Sequence, residues 1–345
     1  MMFDPILDYF RGKAVTIPPM DGALKPNILL EEARVLAVVE RPDSLIFDGA
    51  SVIYASGSKL CRLGVAEPMK DYGADITALA ISPGGRLAVG LNSGAVLLGD
   101  EVVSGFNCPT ALAFDGDDLL VCNGSEDFAP EDWVKDLMQR NATGSLWRLN
   151  TATGERRCLA RGLAYPNGVV ADVQTKRIVF SESWRHRLVT VDPSSGAIAD
   201  ALPRLPAYPC RITPTPSGYL LALFAPLNRL VEFVLQEDDY RSAMMREIES
   251  RYWIAPTLAA SRSFLEPLQN GGVKSMGVHK PWSPSRSCGL LVQLDQSFRP
   301  VASFHSRANG RYHGVTSAIE VAGSYIAASK GGDAILSIDA SQGGA

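Results

Sequence analysis

"PNGVVADVQTKRIVFSES", residues 166–183, opens on a polar phrase, runs through a short apolar stretch, turns over polar residues and returns as a second apolar stretch. The alternation follows a period of two rather than 3.6, which reads as the two strands of a hairpin and not as a helix. The opening phrase is then heard again: "AYPNGVV" (164–170) returns as "AYPCRIT" (207–213), with Asn-Gly rewritten as Cys-Arg.

Five further stretches share this shape: "DSLIFDGASVIYASGS" from Asp43, "ITALAISPGGRLAVGLNSG" from Ile76, "PTALAFDGDDLLVCNGS" from Pro109, "PCRITPTPSGYLLALFA" from Pro209 and "HGVTSAIEVAGSYIAASKGG" from His313. Third strands follow most of them, as in "KLCRLG", "SLWRLN", "RLVTVD", "RLVEFVL" and "AILSID". The unit is a three- or four-stranded antiparallel meander. One meander leaves an apolar face and two edges bare, and six packed radially cover them around a channel. The expected fold is all-β, a six-bladed β-propeller forming one domain over 1–345, with residues 1–30 as an N-terminal arm. "ARVLAVVE" (33–40) is expected to add an outer strand to the blade that begins near His313 and so close the ring. Two helical insertions are expected. The first, at about 128–142, has Trp133, Leu137 and Met138 on one helix face; the second, at about 237–288, contains "DDYRSAMMREIESRYWIA".

Composition narrows the functional classes. The chain has 345 residues, 46% of them hydrophobic, and a formal net charge of −4, with no basic surplus to gather a phosphate backbone, so nucleic acid is not an expected partner. No basic region leads into an apolar one at the N-terminus and no apolar run reaches the length of a membrane span, so a soluble, cytoplasmic protein with no membrane partner is expected. Six cysteines without C-x-x-C spacing read as buried thiols rather than as disulfides or zinc ligands.

In a hairpin the start of the inner strand and the end of the second strand lie at one end of the blade. Six inner-strand starts therefore converge on one channel mouth: Asp43, Ile76 after Asp75, Thr110, Asn167, Cys210 with Arg211, and His313 to Thr316. Glu182, Phe224 and Lys330 border the same face, with Trp184 in a loop beyond. Three of these suit catalysis. Cys210 sits beside Arg211, whose charge stabilises a thiolate nucleophile, although a lone cysteine also serves as a small core residue. His313 suits a general base. Glu182 pairs with Lys330 across the mouth or belongs to structural ion pairs. Asp43, Thr110, Asn167, Arg211, Trp184 and Lys330 are the expected substrate contacts, and the expected partner is a small molecule. The opposite face is bounded by turns such as "SPGG" and "FDGDD".

Residues 131–183, "EDWVKDLMQRNATGSLWRLNTATGERRCLARGLAYPNGVVADVQTKRIVFSES", resemble the strictosidine synthase-like proteins. Those carry an acidic-aromatic helix, a T-G-x-L-x-R strand, a T-G-E turn and F/Y-P-N-G-V before a strand ending in glutamate. The resemblance implies the six-bladed fold of a wider group that includes gluconolactonases, regucalcin-like proteins and paraoxonase-like lactonases. It also implies an ester or lactone hydrolase at the channel mouth. Lactonases of that group hold calcium or another divalent ion through a Glu of the first inner strand, an Asn of the third, the Asn of P-N-G and an Asp of the fifth. By that resemblance Asn167 keeps its ligand position and Asp43 replaces the Glu, so these two are the candidate metal ligands. Thr110 stands in place of the third-strand Asn, and Cys210-Arg211 in place of Asp-Asn. A hard cation loses oxygen ligands there and meets a fixed positive charge. The expected cofactor is none, or a calcium ion weakly held at a degenerate site, with Arg211 taking over part of the cation's role by pairing with Asp43 or meeting a substrate carbonyl or anion. Strictosidine synthase itself works without metal through a glutamate whose position falls near Thr316. Metal-independent C–C or C–N bond formation, or ligand binding without catalysis, are the alternatives.

Overall fold

The computed structural model describes residues 17–261, 263, 266, 267 and 285–344. The strands form six four-stranded antiparallel sheets, each one blade of a β-propeller. The inner strands, in order of blades 1 to 6, are Pro42–Phe47, Ile76–Ile81, Pro109–Asp115, Pro166–Asp172, Ala207–Thr215 and Val315–Val321. Each inner strand packs beside the next, and the sixth returns to the first. Closure is by the expected segment: Arg34–Val38 pairs antiparallel with Ala334–Asp339, so blade 6 takes its outer strand from the N-terminal side. This removes the bare edge along which the ring would otherwise part.

One device recurs in every blade. The register slips near the start of each inner strand, between Asp43 and Ile46, Ile76 and Ala78, Pro109 and Ala111, Pro166 and Gly168, Pro209 and Ile212, and Val315 and Ser317. A bulge leaves its extra residue outside the ladder and re-aims the side chain. The residues set free include Thr77, Thr110, Asn167, Cys210, Arg211 and Thr316.

Hydroxyl groups clasp neighbouring blades together. Ser317 Oγ accepts from Leu45 N at 2.9 Å and Ser44 Oγ from Leu79 N at 2.7 Å. Thr110 Oγ1 donates to the Pro166 carbonyl, Ser181 Oγ to that of Cys210 at 2.8 Å, and Thr213 Oγ1 to that of Ala318 at 2.6 Å. These satisfy backbone groups that an inner strand has no further strand to meet. Between blades 4 and 5 the inner strands approach closely: a Cβ on Gly168 would collide with the Cys210 carbonyl, so the glycine is required by space rather than by its dihedral angles.

The helical insertions differ in part from expectation. Helix α1, Trp133–Met138, buries Leu137 and Met138. "RLVEFVL" is not a third strand but helix α2, Arg229–Gln236. Asn228 caps it by accepting from Leu230 N at 2.9 Å, and Val231, Val234 and Leu235 are buried at helical spacing, a pattern that outweighs the β-branched content. The third strand of blade 5 is Leu290–Asp295. Helix α3, Asp238–Glu247, stops where Ile248 turns extended; Met244 is its one buried residue, while Tyr240 and Ile248 are exposed. Residues 262, 264, 265 and 268–284 of the second insertion, and 1–16 of the N-terminal arm, lie outside the described residues.

Candidate functional site

The bulges turn their free residues toward one end of the channel, where a cavity of about 90 Å³ has an aromatic wall and a charged floor. The wall comes from three places in the chain. Trp184 follows the second strand of blade 4 and stacks on Tyr165 with ring centroids 4.5 Å apart and on Trp133 of α1 at 6.2 Å; Phe224 meets both tryptophans edge-on. Asp136, also on α1, anchors the stack by accepting from Trp184 Nε1 at 2.6 Å. Its carboxyl is pushed up by burial, against the hydrogen bond from Trp184.

The floor is Arg211. Its guanidinium donates to Asp43 Oδ1 at 2.6 Å, to the Thr316 carbonyl at 3.1 Å and the Thr110 carbonyl at 3.3 Å, and to the Thr77 carbonyl. One blade-5 side chain thus ties together blades 1, 2, 3 and 6. Asp43 also accepts from Lys330 Nζ at 2.6 Å and Thr316 Oγ1 at 2.7 Å. Burial alone would raise the Asp43 carboxyl, but Arg211 and Lys330 outweigh it and hold the group well below the usual carboxylate range. Two cations face one carboxylate, leaving a surplus of positive charge on the floor.

Of the residues read from the sequence, Asp43, Thr110, Asn167, Trp184, Cys210, Arg211 and Lys330 line this one cavity. Glu182 and His313 do not. Glu182 is fully buried between Arg185 at 2.5 Å and Arg187 at 2.6 Å and accepts from Ala164 N, an ion-pair cluster inside blade 4, so it does not pair with Lys330. His313 lies buried with its ring on Ser287 Oγ and the Arg307 carbonyl, both at 3.0 Å, and burial lowers it to about 4, which leaves it neutral and out of reach as a base for the mouth. Cys210 lines the cavity, but burial, only partly offset by Arg211, pushes its thiol up to about 11. The thiolate needed for nucleophilic attack is scarce at neutral pH. Thr77, Tyr165 and Leu258 are mouth residues that sequence reasoning missed. Thr77 had a signal: "ITALA" (76–80) repeats "PTALA" (109–113), and the bulge frees the Thr of each.

A divalent cation does not fit this donor set. Both Asp43 oxygens are engaged by cations, the guanidinium holds the inward carbonyls of three blades, and among the described residues no three His, Cys, Asp or Glu converge. Two further cavities adjoin. One of about 150 Å³ shares Asp43, Thr77, Trp133 and Lys330 with the first and adds Asp75 and Asn92. The other, of about 740 Å³, fills the opposite half of the channel among the turns; it shares Arg211 and is otherwise mainly aliphatic.

Among the described residues no helix is long and apolar enough to cross a membrane. No family model and no curated protein matches the chain. Among solved structures, part of a nidogen/laminin complex aligns over 54% of this chain and 73% of its own at 16% identity and a TM-score of 0.43, too weak a likeness to carry an argument. An X-ray structure named as a "putative gluconolactonase" aligns over 89% of this chain and 91% of its own, at 11% identity and a TM-score of 0.54. That likeness extends to the six-bladed fold, which this chain shares.

Proposed function

We propose that the channel mouth binds a small molecule without a metal ion, taking an anionic or carbonyl group on Arg211 and Lys330 and a flat apolar group on the Trp133–Trp184–Tyr165 wall. The observation that carries this reading is the Arg211 guanidinium on the channel axis, bound to Asp43 and to the carbonyls of Thr77, Thr110 and Thr316. It is a fixed cation in a partly dry cavity, and with its terminal N–H groups spent on the bulges it attracts a ligand through its charge. With Lys330 beside it, the floor favours a negative ligand atom.

The test is a titration with phenylacetate and indole-3-acetate in buffer containing EDTA, read by tryptophan emission. Saturable binding that survives the chelator is expected, and Lys330→Met should weaken it roughly tenfold, the worth of a hydrogen bond to a charged group. Binding that requires added calcium, or that ignores Lys330→Met, would overturn the proposal.

Hydrolysis of an ester or lactone is the second reading. It is favoured by the same two cations, which would stand where an acyl oxygen becomes negative as water adds; removing such stabilisation typically costs roughly 10²–10³ in rate. Neither Cys210 nor Asp43 offers a strong nucleophile or base, so slow, chelator-insensitive turnover on an ester and lactone panel is the expected result. Bond formation of the strictosidine synthase kind has less support, because Thr316 brings a hydroxyl already donated to Asp43 rather than a proton-moving carboxylate.

A further inference from the structure

The polar groups of the mouth divide into those already spent on the protein and those still open. Arg211 gives its terminal N–H groups to Asp43 and three carbonyls, Thr316 gives its hydroxyl to Asp43, and Thr110 gives its own to the Pro166 carbonyl. The Thr77 hydroxyl is unpaired but buried. Asn167 differs from all of these. Its side chain lines the cavity, half-buried, and its carboxamide bonds to nothing among the described residues. Lys330 has capacity too, since one hydrogen bond, to Asp43, draws on its three N–H donors.

Asn167 is also held in place. On one side the Pro166 carbonyl is clasped by Thr110, and on the other Gly168 lies against the Cys210 carbonyl with no room for a Cβ. A polar group fixed by its backbone and open to a cavity is what a preorganised binding site presents to its ligand. A carboxamide offers a donor and an acceptor in one plane, so its best complement is a second amide, which meets both at once, much as Asn reads the donor and acceptor on one edge of a base. A carboxylate answers only the donor, and an apolar group neither. Covering the amide without replacing its water costs affinity.

The ring order sets what lies on either side. Inner strands pack in sequence around the channel, so blade 4 stands across it from blade 1. Asn167 is therefore on the side of its blade-mates Tyr165 and Trp184, and the Lys330 ammonium, drawn to Asp43 of blade 1, is on the other. A ligand spanning the mouth meets aromatic rings, then the carboxamide, then the cations.

We propose that the mouth selects arylacetyl amides of amino acids, with the ring on the aromatic wall, the amide paired with Asn167 and the carboxylate at Lys330. This rests on the metal-free binding of a flat anionic molecule proposed for the mouth, and it makes Asn167 the residue that sets specificity there.

Calorimetric titration of the full chain with three ligands of one length tests it: phenylacetylglycine; 4-oxo-5-phenylpentanoate, which keeps the carbonyl and lacks the N–H; and 5-phenylpentanoate, which lacks both. Phenylacetylglycine should bind roughly fivefold more tightly than the ketone, the worth of one hydrogen bond. In Asn167→Leu and Asn167→Ala the affinity ratio of phenylacetylglycine to 5-phenylpentanoate should fall roughly tenfold, a coupling that general loosening of the mouth would not produce. In Lys330→Met all three ligands should weaken together with that ratio kept. A ketone that binds as tightly as the amide, a comparison needing no variant, would overturn the assignment of Asn167, and so would a ratio that both Asn167 variants leave unchanged; in either case Lys330-dependent binding of the three ligands leaves the broader reading of the mouth standing. Failure of all three to bind the parent, or binding indifferent to Lys330→Met, would overturn both.

Discussion

Blades 4 and 5 begin with the same words and end with different roles. "AYPNGVV" and "AYPCRIT" both bury their tyrosine and lead into an inner strand, which starts at Pro166 in blade 4 and at Ala207 in blade 5. Blade 4 then frees one residue from the ladder, Asn167, between Pro166 and Gly168; blade 5 frees two, Cys210 and Arg211, between Pro209 and Ile212. The extra free residue carries the guanidinium to the channel axis. The tyrosines diverge too: Tyr165 lines the mouth, whereas Tyr208 donates to Glu232 of α2 at 2.6 Å. Burial raises Glu232 to about 7, against that hydrogen bond. The lesson is that a repeated phrase places both copies at the head of an inner strand, while the length of the bulge decides what reaches the axis.

The most forceful way to break the comparison is Arg211→Met. It removes one of the two cations that hold a buried carboxylate and strands three carbonyls, and a loss of about 3–5 kcal/mol in unfolding free energy is expected from urea titration. A loss below about 1 kcal/mol would mean that the guanidinium does not organise the mouth.

Next in size is conversion of blade 5 toward an oxygen-rich site, by Cys210→Asp and Arg211→Asn together with Thr110→Asn. Calcium should then raise the melting temperature of the variant and not of the parent. At a calcium concentration of about 100 times Kd the gain is about 2.7 kcal/mol. If calcium stabilises the parent equally, the fixed cation has not displaced the ion.

Gly168→Ala tests the contact between the two copies directly. Because its Cβ meets the Cys210 carbonyl, a cost of about 1–3 kcal/mol is expected, as for overpacking elsewhere. A neutral substitution would show that the seam between blades 4 and 5 is loose.

The smallest effect concerns pH. With the Cys210 thiol raised to about 11, the group stays protonated as pH climbs through neutrality, so iodoacetamide should leave it unmodified at pH 8, checked by peptide mass mapping. Asp43 is shifted the opposite way; its ionised form is the stable one, and its contribution to stability is present above the ordinary carboxylate range and lost only in strong acid. Mouth affinity should therefore be flat from pH 5 to 8 for a ligand that stays ionised. Rapid alkylation of Cys210, or affinity that titrates in this window, would contradict the electrostatics of the floor.

The propeller was legible because its signal is local and repeated. Period-two hairpins with Gly and Asp turns recur six times, and a lone misreading such as α2 for a strand does not change the sum. That misreading shows the limit, since Val231, Val234 and Leu235 form a face only once something lies beneath them. The mouth was legible in part, because strand starts sharing one end of each blade bring Asp43, Thr110, Asn167 and Arg211 together. His313 and Glu182 looked alike from the sequence, at equivalent strand ends.

By itself, then, the sequence determined the number and order of blades and closure by the N-terminal strand. Tertiary structure alone decided which residues are chemically available. Arg211 meets a carbonyl 134 residues away at Thr77 and a carboxylate 168 residues away at Asp43, and His313 is turned onto Ser287. The reason is physical: secondary structure follows from neighbours in the chain, whereas burial, bulge direction and charge pairing are set by groups that become neighbours only when the ring closes.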